Sequence, residues 1–179
     1  TGQSIDLGGI AKGYASDQCI RILQKMGWSA ALENIGGNVS KRRSKPDGAP
    51  WCVGIRHPRR AKGVIGAVSV SGEAVVTSGD YERCFVDMDG NRRHHVLNPV
   101  TGYPADSGLI SVSVVHPCAM VGDALSTAML VGGIGKALTF LSHYPGAEAI
   151  LIDKSLHAHV TQGMKDRFIA AEGVKVSVL

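Results

Sequence analysis

LISVSVVHPCAMVGDALSTAMLVGG, residues 109–133, holds two periodicities in succession, and the fold class follows from how such segments are arranged around it. In Leu109–Val115, Ile110, Val112 and Val114 alternate with smaller polar residues, the period of a strand. After Pro117, Ala119–Val131 reads as a helix, and Gly135–His143 as another. Upstream lie short strand patterns at Trp51–Arg56, Gly66–Val70 and Ala74–Thr77. Arg83–Asp87 and Arg92–Leu97 flank Asp89-Gly90, a dipeptide that tight hairpin turns favour. Downstream, Ala149–Ile152 and His157–Val160 read as a closing pair of strands. At the start, Ile5–Ala11 reads as a strand end entering a glycine turn. Ala11, Ala15, Cys19, Ile22, Leu23 and Met26 then recur at helical spacing, with Gly27 as the stop. Ala30–Ile35 follows as a strand ending at Gly36-Gly37, and Ser40–Pro50 reads as an exposed loop. Helices cluster among runs of strands and do not alternate with them singly. This predicts an α+β fold, antiparallel sheet packed by helices, in one domain over residues 1–179.

Of the 179 residues, 44% are hydrophobic and 19% charged, which excludes a disordered chain and suits one packed core. The formal net charge of +4 is compatible with an anionic ligand without singling one out. Lys41, Arg42, Arg43 and Lys45, and then Arg56, Arg59, Arg60 and Lys62, read as solvated loop surface. No aromatic set is interleaved with them, so nucleic acid is not an expected partner. Cys19, Cys52, Cys84 and Cys118 form no CxxC and read as free thiols. No run is long enough to span a membrane. Because it opens at Thr1 just before a glycine-rich run, the sequence is expected to be the later part of a longer precursor.

Three constellations can carry chemistry. In Asp6–Asp17 (DLGGIAKGYASD), Gly8, Gly9 and Gly13 permit close backbone approach, and a helix start with Lys12 favours an anion. The same residues also suit a plain strand-to-helix turn with Lys12 in solvent. In DALST, Asp123 and Thr127 stand four apart on one helix face and can offer two oxygens to a hard cation. An Asp near a helix start and a Thr bonded to a backbone carbonyl would look the same. In TSGDYER and HHVLNPVTGYP, Ser78, Gly79 and Thr101 offer donors to a ligand, and a histidine can serve as general base or as a structural residue.

Taken in order, DLGGIAKGY, NIGGN, TSGDYER, HHVLNPVTGYP and GDALSTA resemble the ApbE family of FAD:protein FMN transferases, from Asp6 to about Gly133. The resemblance implies an ApbE-like, T-fold-type domain of which these residues are the C-terminal, catalytic portion. It implies FAD as substrate, Mg2+ as cofactor, and transfer of FMN to a Thr or Ser of an acceptor flavoprotein with release of AMP. The metal would be held by the Ala11 carbonyl, Asp123 and Thr127. His95 would be catalytic with Asp123. Gly8, Gly9, Lys12, Gly36, Gly37, Ser78, Gly79, Asp80, His95 and Thr101 would bind the flavin nucleotide. Asn38 stands where many relatives have Asp. The resemblance further places an aromatic contact to the flavin ring, and a membrane tether, in a preceding segment. From it comes also the expectation of a periplasmic protein, or one anchored to face the periplasm. Two alternatives use the same residues: a FAD pyrophosphatase with water as nucleophile, and a non-catalytic module that binds or delivers flavin.

Overall fold

The computed structural model describes residues 2 and 4–179, and its core is three layers with one strand at the centre. That strand, β8 (Leu109–His116), is buried along nearly its whole length. It sits fourth in a seven-stranded sheet whose order is β1-β2-β5-β8-β9-β10-β12. Its companions are β1 (Ala31–Ile35), β2 (Asn38–Arg42), β5 (Ala74–Gly79), β9 (Glu148–Asp153), β10 (Ala158–Val160) and β12 (Val176–Val178). On one face, Val112, Val114 and Leu151 pack against Leu125, Met129 and Leu130 of α2 (Ala119–Gly132) and Ala137 of α3 (Ile134–Ser142). On the other, Val75, Ile110, Val115, Ile150 and Ile152 meet Val53, Ile55, Ile65, Val68 and Phe168. Those partners come from a three-stranded sheet, β11-β4-β3, made of β3 (Trp51–Arg56), β4 (Val64–Val70) and β11 (Phe168–Ala170). Each such side chain, fully buried, contributes roughly 1.5–3 kcal/mol relative to exposure.

The α+β reading holds, and the pairings are antiparallel except β10 with β12, which is parallel. Several local expectations change. Ile110 does not share a face with Val112 and Val114. The β8–β9 register shifts between Leu109 and Ser111, and such a bulge sends neighbouring side chains to opposite faces. Ile5–Ala11 forms no strand: irregular chain runs to a turn at Gly8–Ile10 that leads into α1 (Ala11–Lys25). β5 runs past the expected Ala74–Thr77 to take in Ser78 and Gly79. The Asp89-Gly90 hairpin is present, with shorter strands β6 (Cys84–Val86) and β7 (Arg92–His94). Its loop is longer than a two-residue turn because the Asp87 carboxylate gathers the Asp89 and Asn91 amides. The four cysteines are free thiols. No helix among the described residues is long and apolar enough to cross a membrane.

The largest local correction is at residues 40–50, read as exposed loop. The first part is β2, joined to β1 by a two-residue turn at Gly36-Gly37 with φ of 59° and 94°. That geometry is the mirror-image turn only glycine adopts easily at both positions. Lys41 is not solvated: its side chain is 1% exposed, and its nearest acidic oxygen is Glu73 Oε2 at 3.9 Å. Burial, partly countered by Glu73 and reinforced by Arg167, pulls the Lys41 ammonium down to about 8. The folded pKa lies below the unfolded one, so between them the unfolded chain binds more protons and stability rises with pH. Lys41→Met is therefore expected to stabilise the fold by about 1–3 kcal/mol near neutral pH. Glu73 keeps Arg167 at 2.8 Å in that variant. Urea unfolding at about pH 7.5 and about pH 9.5 checks it: the gap between variant and wild type should narrow at the higher pH.

Candidate active site

The segment before α1 is pulled tight by its own bonds. Asp6 Oδ1 accepts from Gly8 N at 2.6 Å, and the Ile10 and Ala11 amides both donate to the Leu7 carbonyl. The next amide drawn on is Gly13 N, and its acceptor is Asp123 Oδ2 at 2.9 Å, from α2. The anion at this helix start is thus supplied by the chain itself. The loop is a scaffold whose Gly8, Ile10, Ala11 and Gly13 amides are already engaged, which revises the expectation that they wait for a phosphate. Gly13 is needed for another reason: a Cβ there would stand 2.4 Å from the Ala119 carbonyl oxygen. Only without it does α1 lie close enough on α2 for the Gly13–Asp123 bond.

Asp17, which sequence reading passed over, places α2. Its carboxylate accepts from Ala119 N at 2.9 Å and Met120 N at 3.0 Å. It caps α2 across the structure, where Cys118 at the N-cap position makes no side-chain bond to the helix amides and its Sγ donates to Asp17 instead. Burial and the neighbouring Asp17 together raise the Cys118 thiol, so it is a poor nucleophile. Gly122 then lets α2 settle on β5, with Val76 Cγ2 at 3.1 Å from where its Cβ would be.

Asp123 is 1% exposed, and its second oxygen, Oδ1, has no hydrogen-bond partner among the described residues. The Lys12 ammonium stands 3.6 Å from that oxygen. Lys12 also runs beside the Gly36-Gly37 turn, 3.3 Å from where a Gly36 Cβ would sit. One turn along α2, Thr127 Oγ1 meets Ser78 Oγ at 3.1 Å, and Ser78 Oγ meets Ser126 Oγ at 2.8 Å. Ala11 lies exposed in the first turn of α1, two residues before Gly13. A buried carboxylate oxygen left bare beside hydroxyls is a donor set that suits a hard cation such as Mg2+. Ser78, expected at the flavin, meets Thr127 and Ser126 in this cluster, and Ser126 was missed because it looked like helix filler.

The remaining expected residues divide. Gly79 stays small because the Tyr81 ring lies over it, 2.3 Å from a notional Cβ. Asp80 is committed to Arg59, which donates to both its oxygens at 2.6 and 2.7 Å. That bond holds the Arg59 guanidinium above its ordinary value, and Asp80 reads here as an anchor for the 57–60 turn. His94 is the structural member of the pair, buried with Nε2 against the Ala105 carbonyl at 3.0 Å. His95 is exposed, with Nδ1 3.1 Å from the Glu82 carbonyl. Thr101 is exposed in the loop closed by Asn98 and Tyr103, where its Oγ1 accepts from Tyr103 N at 3.3 Å. Asn38, also buried, has neither amide atom bonded among the described residues. Hydrogen bonds and an ion pair thus join Lys12 and Gly13 to the Asp123 carboxylate, while Ser126 Oγ donates to the Asp123 carbonyl and meets Ser78, which meets Thr127; the Gly36-Gly37 turn lies against Lys12. Those of His95 and Thr101 stay within their own loop and the neighbouring Glu82.

Residues 1–151 match the model of the ApbE family. A FAD:protein FMN transferase of Treponema pallidum is 38% identical over 176 residues, covering 93% of this chain and 48% of that protein. The crystal structure of the ApbE protein from Thermotoga maritima superimposes with a TM-score of 0.82 at 37% identity, over 92% of this chain and 53% of that one. The apo flavinyl transferase ApbE of Pseudomonas stutzeri gives 0.68 at 32% identity, over 94% and 49%. The chain thus spans about half the length of these relatives. With the match covering most of its residues and the fold shared, the chain belongs to the ApbE family.

Proposed function

We propose that this chain carries the catalytic half of a flavin transferase that moves FMN from FAD to a Thr or Ser hydroxyl of an acceptor flavoprotein. The observation that supports it most is the buried Asp123 oxygen without a hydrogen bond, 3.6 Å from the Lys12 ammonium and on the helix that, one turn on, carries Thr127 against Ser78. Buried acceptors are rarely left without a partner, so the site is built for a cation that the substrate brings or meets there. The relatives' name adds the substrate class.

The acceptor oxygen attacks the FMN-side phosphorus. A new P–O bond forms, the bridging P–O bond breaks, and AMP leaves with the bridging oxygen. Asp123, Thr127 and the Ala11 carbonyl would hold Mg2+, which when bound draws off negative charge from the pyrophosphate oxygens. Lys12 supplies a fixed positive charge at the same corner, and the Gly13–Asp123 bond keeps the carboxylate aimed before substrate arrives. His95 takes the acceptor proton. The Gly36-Gly37 turn borders the nucleotide. The reaction proposed is periplasmic, carried out by a protein free there or anchored to face it.

The test incubates the native gene product with FAD, Mg2+ and an acceptor flavoprotein, and follows intact mass and AMP together. The expected result is one FMN, less water, added per acceptor, with an equal amount of AMP. Free FMN and AMP with no adduct would replace this reading by a FAD pyrophosphatase. FAD binding with no AMP would replace it by a flavin-delivery module.

A further inference from the structure

Beyond β8 from Ser78, at the turn that joins β9 to β10, lies a second set of donors. β9 ends at Asp153, the chain turns through Lys154, Ser155 and Leu156, and β10 begins at Ala158. Asp153 Oδ1 is spent on that turn, accepting from Ser155 N at 2.8 Å, Ser155 Oγ at 2.6 Å and His157 N at 3.1 Å. Asp153 Oδ2 faces outward from those bonds and meets His159 Nε2 at 3.0 Å. His157 and His159 are two apart in extended chain and therefore project on one side. Their rings stack with centroids 4.4 Å apart. His157 Nε2 is steadied by Ser177 Oγ of β12 at 2.9 Å. One ligand-capable atom from each of Asp153, His157 and His159 lies within 4.8 Å of the other two.

We propose that Asp153, His157 and His159 form a binding site for a late first-row divalent cation of the Zn2+ class, distinct from the Asp123 corner. The inference stands apart from the function proposed above. Two imidazoles and a carboxylate select such ions over Mg2+ or Ca2+, which prefer all-oxygen sets. Bonds of about 2.0–2.1 Å in a tetrahedron put donors roughly 3.3–3.5 Å apart, so side-chain torsions have at most about 1.5 Å to close. The His159–Asp153 pair is already inside that spacing, and an ion would displace the proton the two now share. A cleft of about 440 Å³ lined by Ser155, Leu156, His157 and Lys175 borders His157 and admits solvent as a further ligand. The bound ion would fasten the β9–β10 turn, with β12 held through the His157–Ser177 bond. In the sequence the signal was DxxxHxH across a strand turn, overlooked because metal ligands were sought around the cysteines and in DALST.

Co2+ titrated into the native gene product, under reducing conditions with Mg2+ in excess, tests the site. One equivalent should bind with visible d–d bands, without a thiolate charge-transfer band, and should raise the unfolding temperature. Outer-shell partners alone are worth 10–100-fold, so His157→Gln and His159→Gln should each weaken binding by about a hundredfold or more. Both variants keep Asp153 and its turn, and circular dichroism checks their folding. Wild-type affinity should also fall from about pH 7.5 to about pH 5.5, as protons compete for the imidazoles. Absence of binding at millimolar Co2+, a thiolate band, pH-independent affinity, or unchanged affinity in both variants would each overturn the proposal.

Discussion

Asp123→Asn is expected to lower FMN transfer about a thousandfold while leaving the unfolding temperature close to that of wild type. The two halves of that expectation come from the two carboxylate oxygens. Oδ2 accepts from Gly13 N at 2.9 Å, and an amide oxygen can accept the same bond. Oδ1 is buried without a hydrogen bond, 3.6 Å from Lys12, and an uncharged NH2 group there cannot serve a cation. Asp123→Ala should lose as much activity and also unfold more easily, since it strands the buried Gly13 amide at a cost of about 1–3 kcal/mol. Comparing rates and melting curves of the two variants separates chemistry from scaffold. Wild-type turnover in Asp123→Asn, or in wild type with excess chelator, would remove Asp123 from the metal site.

His95→Asn is expected to lower turnover by about 10²–10⁴-fold at saturating FAD, with FAD affinity little changed. His95 is the exposed member of the pair, and its Nδ1 lies 3.1 Å from the Glu82 carbonyl. A carbonyl only accepts, so Nδ1 must carry the hydrogen, and Nε2 keeps a lone pair available for a proton. His94 has no such freedom, being buried against Ala105. The corresponding change at His94 should therefore lower stability more than turnover. Turnover at saturation together with FAD binding, measured on His95→Asn, decides its role. Normal turnover with weakened FAD binding would make His95 a positioning residue for the nucleotide.

The order of elements around β8 was legible because local periods are set by near neighbours. Alternation marked β8, short strand patterns marked β3, β4 and β5, and helical spacing with a glycine stop marked α1. β11 and β12 were not legible: each has only three residues, and neither has what betrayed the equally short β6 and β7, a turn dipeptide between them. Lys41 was misread for a related reason. Beside Arg42 and Arg43 it looks like solvated loop, and its burial arises only when β2 is covered by its neighbours in the fold.

The sequence by itself determined the α+β class, the helix bearing Asp123 and Thr127, the two-glycine turn at Gly36-Gly37, and the histidine loop. Each is a run of adjacent residues whose backbone sterics or spacing act within a few positions. Only the tertiary structure decided that Gly13 bonds Asp123 and that Asp17 caps α2, partners that lie 110 and 102 residues apart. It alone decided that Asp80 is claimed by Arg59 while the oxygen of Asp123 is left bare. Aspartates in similar polar runs look alike along the chain. What separates them is which donor the fold carries to within 3 Å, and that depends on packing between distant segments, which local pattern does not encode.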